Sequence, residues 1–151
     1  MPSQGEQMDS FLRAAIEEAS RRASEGGLPI GSVLRKGESI IGKGHNRGVK
    51  SKDPTAHAEI DCLRNAGIVG GYADTVLYTT MMPCPMCAGA VVFLGIKRVI
   101  AAESETFKGA REIMESRGVT VEDLNLEECK NMVKEFIKRH PDVWEENAGS
   151  P

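Results

Sequence analysis

The sequence is poor in histidine, in aromatic residues and in positive charge. Its 151 residues include 3 histidines, 1 tryptophan, 2 tyrosines and 4 phenylalanines, and the 19 lysines and arginines are outnumbered by 22 aspartates and glutamates. A net charge of -3 supplies no basic footprint for nucleic acid. No apolar run approaches the roughly 18 residues that span a bilayer. The opening Met1 to Phe11 stretch lacks the basic-then-apolar order of a secretory signal, so a cytoplasmic location is expected. The 4 cysteines, spread over a chain of this length, read as reduced thiols and metal ligands, not as a disulfide framework. With no repeat, linker or low-complexity segment, residues 1–151 are expected to form one domain with a sizeable core.

Against that scarcity, one histidine and two cysteines are placed in a pattern. Pro83-Cys84-Pro85-Met86-Cys87 puts two thiols three residues apart, on one face of a helical turn. At a helix N-terminus their thiolates are favoured by the positive dipole end and the free N–H groups. His57 upstream adds a third ligand, which is the catalytic zinc count with a fourth position left for water. Glu59, two residues on, is the expected proton carrier for that water. The combination H-x-E and P-C-x-x-C is the signature of zinc-dependent nucleobase deaminases.

Simpler readings compete with it. A lone C-x-x-C opening a helix also fits a dithiol redox pair. A structural zinc module needs a fourth ligand, from Cys62, Cys129, His45 or His140. Cys62 and Cys129 fall at apolar helix positions and read as small buried hydrophobes. His45, beside Asn46, reads as a supporting residue, and His140 as a helix-end residue before Pro141.

Periodicity places these residues on elements. Met8, Phe11, Leu12, Ala15, Ile16, Ala19 and Ala23 predict an amphipathic helix that Gly26-Gly27 ends. Ile30–Leu34 and Ser39–Ile41 flank a Lys36-Gly37-Glu38 turn and predict a hairpin. Gly42 to Lys52 reads as a loop, and Thr55 as the N-cap of a helix over 56–66. Strands are expected at Thr75–Thr79 and Arg98–Ala102, with the Cys84 helix between them running to Gly95. Thr106–Lys108 reads as a loop, Ala110–Ser116 as a helix and Val119–Val121 as an edge strand. Asn125 with Glu128 resembles a capping box for a last long helix, which Pro141 breaks before a short final turn. Strand–helix alternation of this kind implies parallel crossovers with helices on both faces of the sheet.

With these residues in place, the chain resembles the cytidine-deaminase-like superfamily, and within it the fungal-type cytosine deaminases. The matching stretches include Gly27 to Gly31, Gly44-His45-Asn46, Leu77 to Thr80, Cys84 to Gly89, Phe107-Lys108 and the Phe136 to Trp144 tail. The resemblance implies a three-layer α/β/α sandwich around a five-stranded mixed sheet, a homodimer, and one zinc ion on His57, Cys84 and Cys87 with Glu59 as proton shuttle. It implies that Asn46 and the N–H of Ala58 bind a pyrimidine carbonyl. Ile30, Phe107 and Trp144 would pack against the base, under a C-terminal lid with little room for a ribose. Three residues depart from the pattern. Val49 replaces a phenylalanine against the base, Met82 replaces a small polar residue, and Asn147 aligns with an aspartate that contacts the substrate's polar edge, with Glu146 as a neighbouring carboxylate. The expected activity is hydrolytic deamination of a small free base, cytosine first. Isocytosine, guanine or a related heterocycle is the alternative, ahead of tRNA adenosine, and no membrane or nucleic-acid partner is expected.

Overall fold

A computed structural model describes residues 9–147, so Met8 and the Met1–Gln7 segment lie outside the described residues. The first helix, α1 (Ser10–Ser24), starts where the Asp9 side chain accepts the Phe11 N–H at 2.8 Å. Two antiparallel strands follow, β1 (Gly31–Lys36) and β2 (Ser39–His45), then a single turn, α2 (Gly48–Ser51). The middle of the chain alternates α3 (Ala58–Ala66), β3 (Thr75–Thr79), α4 (Pro85–Leu94), β4 (Arg98–Ala101), α5 (Arg111–Ser116) and β5 (Thr120–Asp123). Helices α6 (Glu127–Arg139) and α7 (Pro141–Asn147) complete the described chain.

The five strands form one sheet in the order β2-β1-β3-β4-β5. β3, β4 and β5 run parallel, while β1 is antiparallel to both β2 and β3. The sheet is therefore mixed, and β5 is an edge, as the sequence pattern implies. Period-two alternation sends neighbouring residues to opposite cores. Leu34, Leu77 and Val99 pack with Cys62, Ala88, Val91 and Met114 of α3, α4 and α5. Val33, Tyr78 and Ile100 pack with Leu12, Ala15 and Ile16 of α1 and Cys129 of α6. The result is the expected three-layer α/β/α sandwich. Each such buried aliphatic side chain contributes about 1.5–3 kcal/mol.

Three local expectations are corrected. The stretch after Ile41 is not loop throughout, because β2 continues to His45. Its glycines lie in the strand for a packing reason: a Cβ on Gly44 would stand 2.3 Å from Cys62 N and 2.6 Å from Ala58 O of α3. Glycine in a strand here marks close approach of another backbone. Thr55 does not cap α3, since Asp53 Oδ1 accepts both its N–H (2.8 Å) and its hydroxyl (2.7 Å) in a tight turn. The N-cap is His57. Finally, Asn125 takes a left-handed φ of 51° and forms no capping box; Leu126 is the N-cap of α6, without a side-chain cap bond. Asn125 N–H is taken by Asp123 Oδ1 at 2.9 Å.

Candidate active site

Two helix N-termini meet beyond the C-terminal end of β3. His57 is the N-cap of α3, and Cys84 is the N-cap of α4 with Pro85 as its first residue. Proline suits that position because its missing N–H would have no partner there. Cys84 Sγ accepts the Cys87 N–H at 3.5 Å, so the C-x-x-C spacing closes one helical turn. His57 Nδ1 lies 3.4 Å from Cys84 Sγ and 3.6 Å from Cys87 Sγ. The three ligand atoms all fall within 4.8 Å of one another. Two thiolates and one imidazole nitrogen at this spacing are a donor set that fits zinc.

The remaining thiols and histidines lie elsewhere. Cys62 Sγ is directed at Gly42 O (3.5 Å), and Cys129 is buried against α1. His45 Nδ1 pairs with Glu18 Oε2 of α1 at 3.1 Å, and His140 sits over Phe136 with ring centroids 5.1 Å apart. Among the described residues, no fourth side chain joins His57, Cys84 and Cys87. A closed structural site is therefore not built, and a position stays open for a non-protein ligand.

Electrostatics follows from burial and from the helix ends. A hydrogen bond from the Cys87 thiol holds Cys84 down at about 4, despite burial, with His57 adding to the effect. In the metal-free protein the same bond, with burial, pushes Cys87 upward. His57 is raised, chiefly by its hydrogen bond to Cys84. Glu59 is only 4% exposed. Burial lifts its carboxyl to about 7, opposed by His57 and reinforced by the Cys84 thiolate. A carboxyl near neutrality can both take and return a proton at physiological pH.

The pocket over these ligands, mouth included, holds about 400 Å3. Its floor is His57, Glu59 and Cys84; its polar wall is Asn46 and Asn147; its apolar walls are Ile30, Phe107 and Trp144. Leu28, Met81 and Met82 also line it. Leu28 and Met81 were not singled out in the sequence. Their signal is position, since each flanks a strand end on the side where open α/β sheets bind ligands. Asn46 is 2% exposed, and its Oδ1 accepts the Gly48 N–H at 3.0 Å. Its NH2 is left as a donor. Asn147 is the reverse: its Nδ2 donates to Val143 O at 2.8 Å, leaving Oδ1 as an acceptor.

Two expected substrate contacts are not among the pocket's lining residues. Val49 lies on α2 and lines a separate depression with Arg22, Glu25 and Gly26. The Asn46–Gly48 bond turns the chain at that point, and Val49 is carried towards the end of α1. Glu146 is exposed on the outer side of α7. Ala58 is fully buried and does not line the pocket with its side chain; as the first residue of α3, its N–H has no intrahelical acceptor.

Residues 5–103 match the family described as the cytidine and deoxycytidylate deaminase zinc-binding region. That span contains His57, Glu59, Cys84 and Cys87. The chain belongs to this family. It is 38% identical over 141 residues to the cytosine deaminase of Candida albicans, covering 91% of this chain and 94% of that protein. It is also 41% identical over 106 residues to a tRNA-specific adenosine deaminase of Haemophilus influenzae, covering 68% of this chain and 61% of the relative. The solved guanine deaminase of Bacillus subtilis superposes with a TM-score of 0.59 at 35% identity, over 76% of this chain and 71% of that one. The deaminase is thus a zinc-dependent hydrolase acting on C–N bonds of cyclic amidines, with His57, Cys84 and Cys87 positioned to bind zinc. No helix among the described residues is long and apolar enough to cross a membrane.

Proposed function

We propose that the deaminase converts a small free base, cytosine to uracil with release of ammonia, in the cytoplasm and as a homodimer. The observation that carries this reading is the opposed pair of amides. Asn46 presents a donor and Asn147 an acceptor into one pocket with Glu59. A base with a ring carbonyl and an exocyclic amine satisfies both. Zinc supplies a water activated at neutral pH. Glu59, buried in the same pocket, would carry one proton of that water to the ring nitrogen as the hydroxyl adds to the amine-bearing carbon. It would then carry the hydroxyl's proton to the departing amine as the C–N bond breaks and the new carbonyl forms. Asn46 NH2 and the N–H of Ala58 orient the ring carbonyl. Ile30, Phe107 and Trp144 hold the ring and exclude water, which strengthens each polar contact inside.

The Candida relative supports cytosine through its 38% identity over 91% of this chain, with α7 supplying Trp144 and Asn147 to the pocket. A guanine-type substrate is the second reading, favoured by the 35% identity to the Bacillus guanine deaminase. Its 1,3-related carbonyl and amine would meet the same two amides. Against a tRNA substrate stands the net charge of -3, because polyanion binding draws on neutralising lysines and arginines. The homodimer is supported by α4, which is apolar on both faces: Cys87, Ala88 and Val91 are buried while Met86 and Phe93 are exposed.

The decisive assay follows ammonia release from the zinc-loaded protein with cytosine, isocytosine, 5-fluorocytosine, guanine, adenine and creatinine, with cytidine as nucleoside control. Turnover of cytosine and not cytidine is expected. Turnover of guanine with silence on cytosine would transfer the assignment to the second reading.

A further inference from the structure

Asp61 lies in the first turn of α3, two residues beyond Glu59, and is 3% exposed. A buried carboxylate persists only where partners compensate its lost hydration. Both of its oxygens are engaged. Oδ2 accepts the backbone N–H of His45 at 3.1 Å, and Oδ1 accepts from Arg47 Nε at 2.7 Å. These two residues flank Asn46. The carboxylate therefore staples the segment on either side of Asn46 to the helix that carries His57 and Glu59.

The surroundings make this connection close and specific. Gly44 lets β2 approach α3 within a distance no Cβ would allow, which brings His45 N–H to Asp61. Asn46 N–H donates to Ile30 O at 3.2 Å, tying it to the strand side of the pocket, while Arg47 N–H reaches Ala56 O at 2.8 Å, before α3 begins. The tie from this segment to the body of α3 runs through the Asp61 side chain.

We propose that Asp61 is a positioning residue: it fixes the span between the Asn46 donor and the Glu59–His57 helix, so that a base held by its carbonyl meets the proton carrier in register. The proposal rests on the reading that Asn46 binds the substrate. The Asp61 N–H makes a helical bond to His57 O at 2.9 Å, but its carboxylate bonds to His45 N–H and Arg47 Nε and to no metal-ligating side chain, and it acts through Asn46. Misplacement by about 1 Å at a reacting centre costs on the order of 100-fold in rate.

The test compares Asp61→Asn, which keeps shape and one acceptor but loses the charge on Arg47, with Asn46→Ala and the double variant. Asp61→Asn is expected to bind one zinc per chain, to lower kcat/KM about 10- to 100-fold with a share of the loss in KM, and to speed amide hydrogen exchange in residues 45–48 while strands β1 and β3 stay protected. In the Asn46→Ala background the same substitution is expected to cost less than about threefold more, because contacting residues on one path are not additive. Fully additive losses, or unchanged exchange at 45–48, would overturn the proposal. The exchange and zinc measurements do not depend on the substrate. If no base is turned over by the unmodified enzyme, the functional reading fails, while exchange at 45–48 still decides Asp61.

Discussion

Cys84 Sγ stands 3.4 Å from His57 Nδ1, across 27 residues of chain, because each of the two residues caps a helix and the two helix starts face one another. The same two ends that favour anionic thiolates leave protons on the wrong groups when metal is absent. His57 is raised by its bond to Cys84, and Cys87 by that thiolate and by burial.

Zinc must displace those protons, so its affinity depends on pH with a definite sign. Cys84, held at about 4, is already a thiolate at neutral pH. His57 and Cys87 bind protons more readily than in a free chain, and falling pH therefore favours the metal-free state. Between pH 8 and 6, zinc affinity should drop by roughly 10- to 100-fold per unit, one decade for each proton displaced. A competitive chelator titration at several pH values measures it. A flat affinity across that range would show that neither proton is displaced.

Glu59→Gln should keep one zinc per chain and reduce turnover by about 10²- to 10⁴-fold, the range for a lost general acid–base. The zinc-free protein offers a second readout. Burial raises the Glu59 carboxyl from 4.5 to about 7, so the folded state binds its proton more tightly than the unfolded state does. That contribution is fully present below about pH 4.5 and is lost as pH rises through 7, on the order of 3 kcal/mol for a shift of that size. Metal-free Glu59→Gln should therefore gain stability over the unmodified chain at pH 8 and not at pH 4.5. Denaturant unfolding at the two values would reveal an equal difference if the carboxyl were not raised.

The metal triad and Glu59 could be read from spacing because each ligand sits at a helix start, where sequence punctuation is strongest: Pro83 and Pro85 around Cys84, and Asp53-Pro54 ahead of His57. The sheet followed from β-branched runs alternating with helical patterns. What escaped was local or relational. Gly44 read as loop chemistry because glycine has no side chain to declare which backbone approaches it. Asn125 and Glu128 have the composition of a capping box, but Asp123 takes the Asn125 N–H and the chain turns left-handed there. Val49 follows Asn46 closely in sequence, yet the Asn46–Gly48 bond carries it away from the pocket. Leu28 and Met81 needed the sheet order before their place beside the site could be seen.

Gly44→Ala tests the close contact that brings α3 to the sheet. The added methyl would stand 2.3 Å from Cys62 N, with backbone and no flexible side chain to yield. Overpacking of this kind costs about 1–3 kcal/mol. Both stability and activity should fall, since α3 carries His57 and Glu59. A melting temperature equal to that of the unmodified protein would mean that the strand and helix separate freely.

Phe93 is 87% exposed on α4, one helical face with Met86. If that face is covered by a second copy, Phe93→Lys should shift the protein from dimer to monomer at micromolar concentration in sedimentation equilibrium, with the zinc site retained. A single mass for both proteins would place the dimer contact, if any, elsewhere.

Asn147 is the residue that bears most directly on which base is used. Its Nδ2 is committed to Val143 O, so the amide offers the pocket an oxygen, much as a carboxylate would. Removing an acceptor from an amine inside an enclosed pocket leaves that amine unpaired, at about 1–3 kcal/mol. Asn147→Ala should therefore lower kcat/KM for cytosine by about 10- to 100-fold, largely through KM. Asn147→Asp keeps an acceptor but loses the tie to Val143 and adds a charge near that carbonyl. It should retain activity to within about tenfold while loosening α7, seen as faster amide exchange over residues 141–147. The opposite ranking, with alanine active and aspartate silent, would mean that the substrate presents an acceptor at this edge, which would exclude the amine of cytosine as the group Asn147 reads.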